Sequence, residues 1–268
     1  MSKPGSDDDH NPTLRQIFRA ALKIAADAVA VRFKQRKTVT FTSAGQTIRG
    51  CFYYPGSKGS APGILLLPTA FGLTPHEHWF AARLAQEGYT TLVIAYSKRI
   101  TGIAVMESEL RRKNLEQVVL DGWRLLQEDP LVDADNCAVI GLSLGGYFAM
   151  HIATSVKEFG PKAVAVYYGM YALAGTNLPY LRCPLLILQG ENDTEDFVEN
   201  ARRVQAISIR DDKPWEVVLY PNTGHQFDLF ESGGAAARDA WGRTVKFLRQ
   251  YLGSSTKNGA TNGFQRVD

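Results

Sequence analysis

The stretch Asn136-Cys-Ala-Val-Ile-Gly-Leu-Ser-Leu-Gly-Gly-Tyr-Phe-Ala-Met150 decides how the rest of the chain is read. A short apolar run, Cys137 to Ile140, ends in Gly141-Leu142-Ser143-Leu144-Gly145, and a helical pattern follows at once. Strand, sharp turn and helix in that order put a serine at the apex, where the backbone is strained and only small neighbours leave room for it. Gly141 and Gly145 are those neighbours. Ser143 is thereby pushed out at the top of a sheet, and unpaired N–H groups at the start of the helix point at the same place. The motif alone also fits a serine that merely caps a helix, so its meaning depends on partners elsewhere in the chain.

Outward from this stretch, strand and helix patterns alternate. Residues 38–44 and 46–54 read as two strands joined through Gly45, a hairpin. Gly63-Ile-Leu-Leu-Leu-Pro68 is apolar throughout, as central parallel strands are. A helix over 75–87, stopped by Gly88, leads to a second buried strand over 89–96. Next come a helix over 106–127, the Ser143 strand and its helix to about Phe159, and a strand over 162–168. The chain continues with a strand over 184–189, a helix over 195–209, a strand over 215–220 and a last helix over 235–251. This pattern implies an α/β fold, a mostly parallel central sheet covered by helices on both faces. Ligands of such sheets bind beyond the carboxyl ends of the strands, where Thr69, Lys98, Ser143, Tyr168, Asp193 and His225 all fall.

Residues 38–252 form the expected domain. Residues 1–12, polar and carrying Asp7-Asp8-Asp9, are expected to be disordered, and the polar residues 253–268 to form a mobile tail. Residues 13–37 read as a helical extension: Leu14, Ile17, Phe18, Ala21, Ile24, Ala25, Ala28 and Val31 recur at three- and four-residue steps. It is expected to pack on its own domain or on a second subunit, so a homodimer through this helix is one expectation, with a membrane-surface helix as the alternative.

The 268 residues are 45% hydrophobic and 21% charged with a net charge of +3, ordinary for a soluble domain and too weakly basic for a nucleic-acid partner. No apolar run approaches the ~20 residues of a membrane span, and no secretory signal is visible, so a cytoplasmic protein is expected. The three cysteines lie in apolar runs with no pairing or metal-ligand spacing. Neither a metal nor a cofactor is expected.

A serine hydroxyl is a poor nucleophile near neutral pH. It needs a base, and the base needs a group to orient it. Of the five histidines, His10 lies in the polar start, and His151 sits in the helix after Ser143 as a packing residue. His76 and His78, two residues apart at a helix start, point to different faces and make a poor metal pair. His225 remains, in the loop Tyr220-Pro-Asn-Thr-Gly-His-Gln-Phe227 after the last strand. The orienting acid is Asp193 in Gly190-Glu-Asn-Asp193. Glu191, Glu195 and Asp196 read as solvated or helix-starting charges. Serine, acid, histidine is the chain order of α/β-hydrolases. The backbone N–H of Leu144 and that of Ala70, with Phe71 next in line, are the expected oxyanion donors. Phe71, Lys98, Arg99 and Tyr168 are candidates for substrate contact.

At this point the chain resembles the dienelactone hydrolase family, over roughly Gly63 to Tyr251. The residues that carry the resemblance are Pro68-Thr-Ala-Phe-Gly-Leu73, Leu84-Ala-Gln-Glu-Gly-Tyr89, Gly141-Leu-Ser-Leu-Gly-Gly146, Val166-Tyr-Tyr-Gly169, Gly190-Glu-Asn-Asp193 and Gly224-His-Gln-Phe227. Two departures stand out. The dienelactone enzymes carry a cysteine where this chain has Ser143, and an activating glutamate where it has Thr69. The resemblance therefore implies the serine esterase branch: a hydrolase that cleaves a small-molecule ester, thioester or lactone through an acyl-enzyme. Acyl transfer, a lyase or cyclase step, or a non-catalytic binding role on the same scaffold are the alternatives.

Overall fold

A computed structural model describes residues 35–57, 59–96, 108–169, 178–230 and 233–253. Eight strands form one sheet in the order β1-β2-β4-β3-β5-β6-β7-β8. They are β1 (Arg36–Ser43), β2 (Gln46–Tyr53), β3 (Ala61–Leu67), β4 (Thr90–Ile94), β5 (Val132–Leu142), β6 (Ala163–Tyr167), β7 (Leu185–Gly190) and β8 (Trp215–Tyr220). The helices are α1 (Pro75–Gln86), α2 (Glu109–Gln127), α3 (Leu144–Ser155), α4 (Glu195–Arg210), the short α5 (Phe227–Phe230) and α6 (Ala235–Leu252).

The hairpin forms as read. Ala44 and Gly45 both have positive φ, 45° and 70°, the backbone of a two-residue turn whose twist matches its strands. β1 starts at Arg36, so Arg36 and Lys37 belong to the strand rather than to a helix end. The rest of the N-terminal helix, residues 13–34, lies outside the described residues, as does the tail beyond Gly253. β2 runs antiparallel to β1 and β4, and every later pairing is parallel.

Alternation along the strands separates two cores. Leu65, Leu67, Val139, Val164, Val166 and Ile187 pack beneath α2, α3 and α4, around Trp123, Phe148 and Val204. Ile64, Leu66, Ala138, Ile140, Ala165 and Leu188 pack beneath α1 and α6, around Phe80 and Leu248. The result is three layers, helices over both faces of the sheet. Among the described residues no helix is long and apolar enough to cross a membrane.

The topology fixes where a ligand can enter. From β3 the chain moves outward through α1 to β4, then returns through α2 to β5 on the other side of β3. A crevice opens outside the carboxyl ends of strands at such a reversal. The loop after β3 carries Thr69 and Ala70; the turn after β5 carries Ser143.

The start of α1 is pinned by a capping box. Thr74 Oγ1 accepts from the His76 N–H at 3.2 Å, and the buried Glu77 carboxylate accepts from the Thr74 N–H at 2.8 Å and its hydroxyl at 2.5 Å. Thr74→Ala is expected to lower stability by about 1 kcal/mol, which thermal denaturation would register as a Tm fall of roughly 2–4 °C.

Candidate active site

Ser143 stands between β5 and α3 with φ 51° and ψ −115°, a backbone conformation that non-glycine residues rarely adopt. The turn survives because its neighbours lack side chains. A Cβ on Gly141 would lie 2.3 Å from the Gly145 carbonyl oxygen. A Cβ on Gly145 would lie 2.2 Å from the Leu67 carbonyl oxygen. Gly145 therefore brings the start of α3 into backbone contact with the end of β3.

Two other loops meet this turn. The loop after β7 and the loop after β8 are tied together: the Glu191 N–H donates to the Tyr220 carbonyl and the Asn192 N–H to the Thr223 carbonyl, both at 2.9 Å. His225 comes from the second loop and Asp193 from the first. His225 Nε2 lies 2.9 Å from Ser143 Oγ, and its Nδ1 lies 2.7 Å from Asp193 Oδ2. The structure thus brings together the three side chains picked from the sequence. Asp193 is further fixed by Gln189 Nε2, which donates to Oδ2 at 2.7 Å, and by the Thr194 N–H, which donates to Oδ1 at 2.8 Å. A carboxylate accepts only, so the shared proton sits on Nδ1 and leaves the Nε2 lone pair facing the serine. The Asp193 side chain is 2% exposed and that of His225 30%, so the ring reaches solvent while its partner does not.

The oxyanion candidates lie at the same crevice. Leu144 heads α3, where backbone N–H groups have no intrahelical acceptor. In the facing loop, the Phe71 N–H donates to Thr69 Oγ1 at 3.3 Å and the Gly72 N–H to the Thr69 carbonyl at 3.0 Å. The Phe71 N–H is thereby engaged within its own loop, and the Phe71 side chain, 61% exposed, stands at the rim. The buried Thr69 shapes this loop. Lys98 and Arg99 lie outside the described residues.

Tyr168 differs from its expected place. It is fully buried, so it offers no surface to a substrate; its ring packs on His225 with centroids 4.9 Å apart. Its hydroxyl donates to Asp228 Oδ1 at 2.6 Å, and Asp228 Oδ2 lies 3.0 Å from His76 Nε2. Burial alone would raise the Asp228 carboxyl. The charge and hydrogen bond of His76 and the Tyr168 hydroxyl outweigh it and hold the group below the usual carboxylate range. Burial, with the Asp228 charge adding to it, drives the Tyr168 phenol well up. Sequence reasoning missed both Gln189 and this buried triplet. His78 turns to Tyr53, its Nδ1 2.8 Å from that hydroxyl. Among the described residues no cluster of His, Cys, Asp and Glu is suited to a metal ion.

Fold and site together define an α/β-hydrolase. A family model for the dienelactone hydrolase family matches residues 48–252. The chain belongs to that family of hydrolases. It is similar to a carboxymethylenebutenolidase of Rhodococcus opacus, 27% identical over 219 residues that cover 75% of this chain and 85% of the relative. Among solved structures, a Pyrobaculum calidifontis esterase superposes with a TM-score of 0.71 at 16% identity, covering 88% of this chain and 92% of the other. A dienelactone hydrolase-like promiscuous phosphotriesterase from metagenomic libraries gives 0.68 at 21% identity, covering 82% and 99%. At these identities the two structures speak for the fold alone.

Proposed function

We propose that this protein is a serine hydrolase that cleaves a carboxylic ester, thioester or lactone through an acyl-enzyme on Ser143. The observation that carries the reading is the unbroken relay Ser143 Oγ to His225 Nε2 at 2.9 Å and His225 Nδ1 to Asp193 at 2.7 Å. His225 takes the serine proton as Oγ attacks the carbonyl carbon, and Asp193 steadies the imidazolium that forms. The N–H groups of Leu144 and Ala70 receive the developing oxyanion. His225 then hands the proton to the departing alkoxide or thiolate. A water molecule, deprotonated by the same imidazole, releases the acid and restores Ser143.

The nucleophile is the hydroxyl, and this chain's thiols are poorly placed to act for it. All three are buried and unpaired. Burial pushes Cys137 and Cys183 up to about 12 and raises Cys51. At pH 8 the Cys137 and Cys183 thiols therefore stay protonated. These thiols also suit the reducing cytoplasm, where the reading places the enzyme. A fluorophosphonate probe is expected to label Ser143 and to stop turnover of p-nitrophenyl acetate, whereas iodoacetamide at pH 8 leaves turnover intact. Labelling elsewhere, or inactivation by iodoacetamide, would overturn the assignment.

A further inference from the structure

The histidine of the proposed relay is held in its plane by two hydrogen bonds, but these do not fix its tilt. A ring bonded at Nδ1 and Nε2 can still rock about the line joining its two partners. What limits rocking is the packing against it: Tyr168 at 4.9 Å and Phe197 at 5.5 Å between centroids. Tyr168 is the more constrained of the two. It is wholly buried, and its backbone is left-handed, φ 38°, in the turn that ends β6. Its N–H is bound to the Leu188 carbonyl at 2.8 Å. Its far end is tied to Asp228, a buried carboxylate three residues beyond His225, and Asp228 is tied in turn to His76 at the start of α1.

A charged carboxylate buried at this depth costs stability unless it is fully bonded. Here its two oxygens are each bonded, one to a phenol and one to an imidazole, and neither partner belongs to the proton relay. We infer that Asp228, backed by His76, is a positioning residue that holds the Tyr168 ring against His225 and so sets the orientation of the base. This rests on the serine-hydrolase reading above. The triplet joins three separate elements, α1, the end of β6 and α5, behind one imidazole. It makes the base's tilt a property of the folded layers rather than of its own loop.

The test compares Tyr168→Phe, Asp228→Asn and the double variant with the full-length wild type on p-nitrophenyl acetate. Tyr168→Phe keeps the ring and loses only its tether, so it remains informative should Asp228→Asn fold poorly. A fall in kcat on the order of tenfold is expected for it, since small misplacements of a reacting group carry large rate penalties, while KM holds within about twofold. The double variant is expected to lose little more than the worse single one, because both act through one path. The deshielded Nδ1 proton of His225 in the NMR spectrum should broaden or shift in each variant. Unchanged kcat and an unchanged Nδ1 signal in Tyr168→Phe overturn the inference, as does a loss confined to thermal stability. Ser143→Ala separates the two levels. If it retains turnover, the hydrolase reading fails. If it is inactive while Tyr168→Phe behaves as wild type, only the positioning role fails.

Discussion

Ser143→Ala is expected to reduce turnover of p-nitrophenyl acetate by at least about 10⁴-fold while leaving the fold intact. The substitution removes one oxygen. Without it His225 has no proton to take and no covalent intermediate forms, so the two-step path closes. What remains is whatever the proposed backbone donors and substrate binding give to direct attack by water. The structural cost is small. Alanine carries the same Cβ as serine, so the elbow at φ 51° is no more strained than before. The one hydrogen bond lost is to a ring that keeps its other partner, Asp193, at 2.7 Å. A stability change within about 1 kcal/mol follows. Steady-state kinetics together with a thermal melt on the same preparation check both halves. A folded variant that keeps more than a tenth of wild-type turnover would mean that Ser143 is not the nucleophile.

The parts of this molecule legible in the sequence are those with local causes. The apolar runs of β3 and β4 announced buried strands, and Gly45 announced its hairpin, although Ala44 proves to belong to the turn rather than to the strand. The serine, acid and histidine were legible because each follows a strand, and the parallel sheet brings such loops to one rim. Where the cause is remote, the reading stopped short. β5 begins at Val132, five residues before the apolar run that betrayed it, because Asp133 and Asp135 make that half look like a loop. Its pairing there is only with Ala61 and Pro62, next to a register shift. α5 is four residues long and has no periodicity to detect. His76 and Asp228, 152 positions apart, meet only after α1 and α5 have docked. The one clue was negative: an aspartate directly after the apolar Phe227, with no obvious task. Tyr168 was picked out for its place after a strand, but only folding shows that its phenol faces inward.

Gly145→Ala carries the other large effect, and here the blow falls on the fold. The added Cβ would sit 2.2 Å from the Leu67 carbonyl oxygen and 2.9 Å from that of Pro68. Both obstacles are main chain, one in a central strand and one just after it, so neither can rotate aside. The start of α3 must move away from β3, against a core in which Leu67, Leu144 and Phe148 are fully buried. Overpacking of this kind costs about 3 kcal/mol or more, a large share of the ~5–15 kcal/mol that holds a domain together. The same displacement separates the Leu144 N–H from the loop that carries Ala70, and loss of one oxyanion donor alone costs on the order of 10²-fold in rate. Gly242, in α6, is the control. Nothing lies within 4 Å of its added Cβ, so Gly242→Ala should stabilise by up to about 1 kcal/mol through helix propensity. Urea denaturation of the two variants, with esterase rates on whatever remains folded, distinguishes steric from generic effects of glycine replacement. If Gly145→Ala matched the wild type in both measurements, the close approach of β3 and α3 would be wrong, and with it the argument that places two oxyanion donors on facing loops.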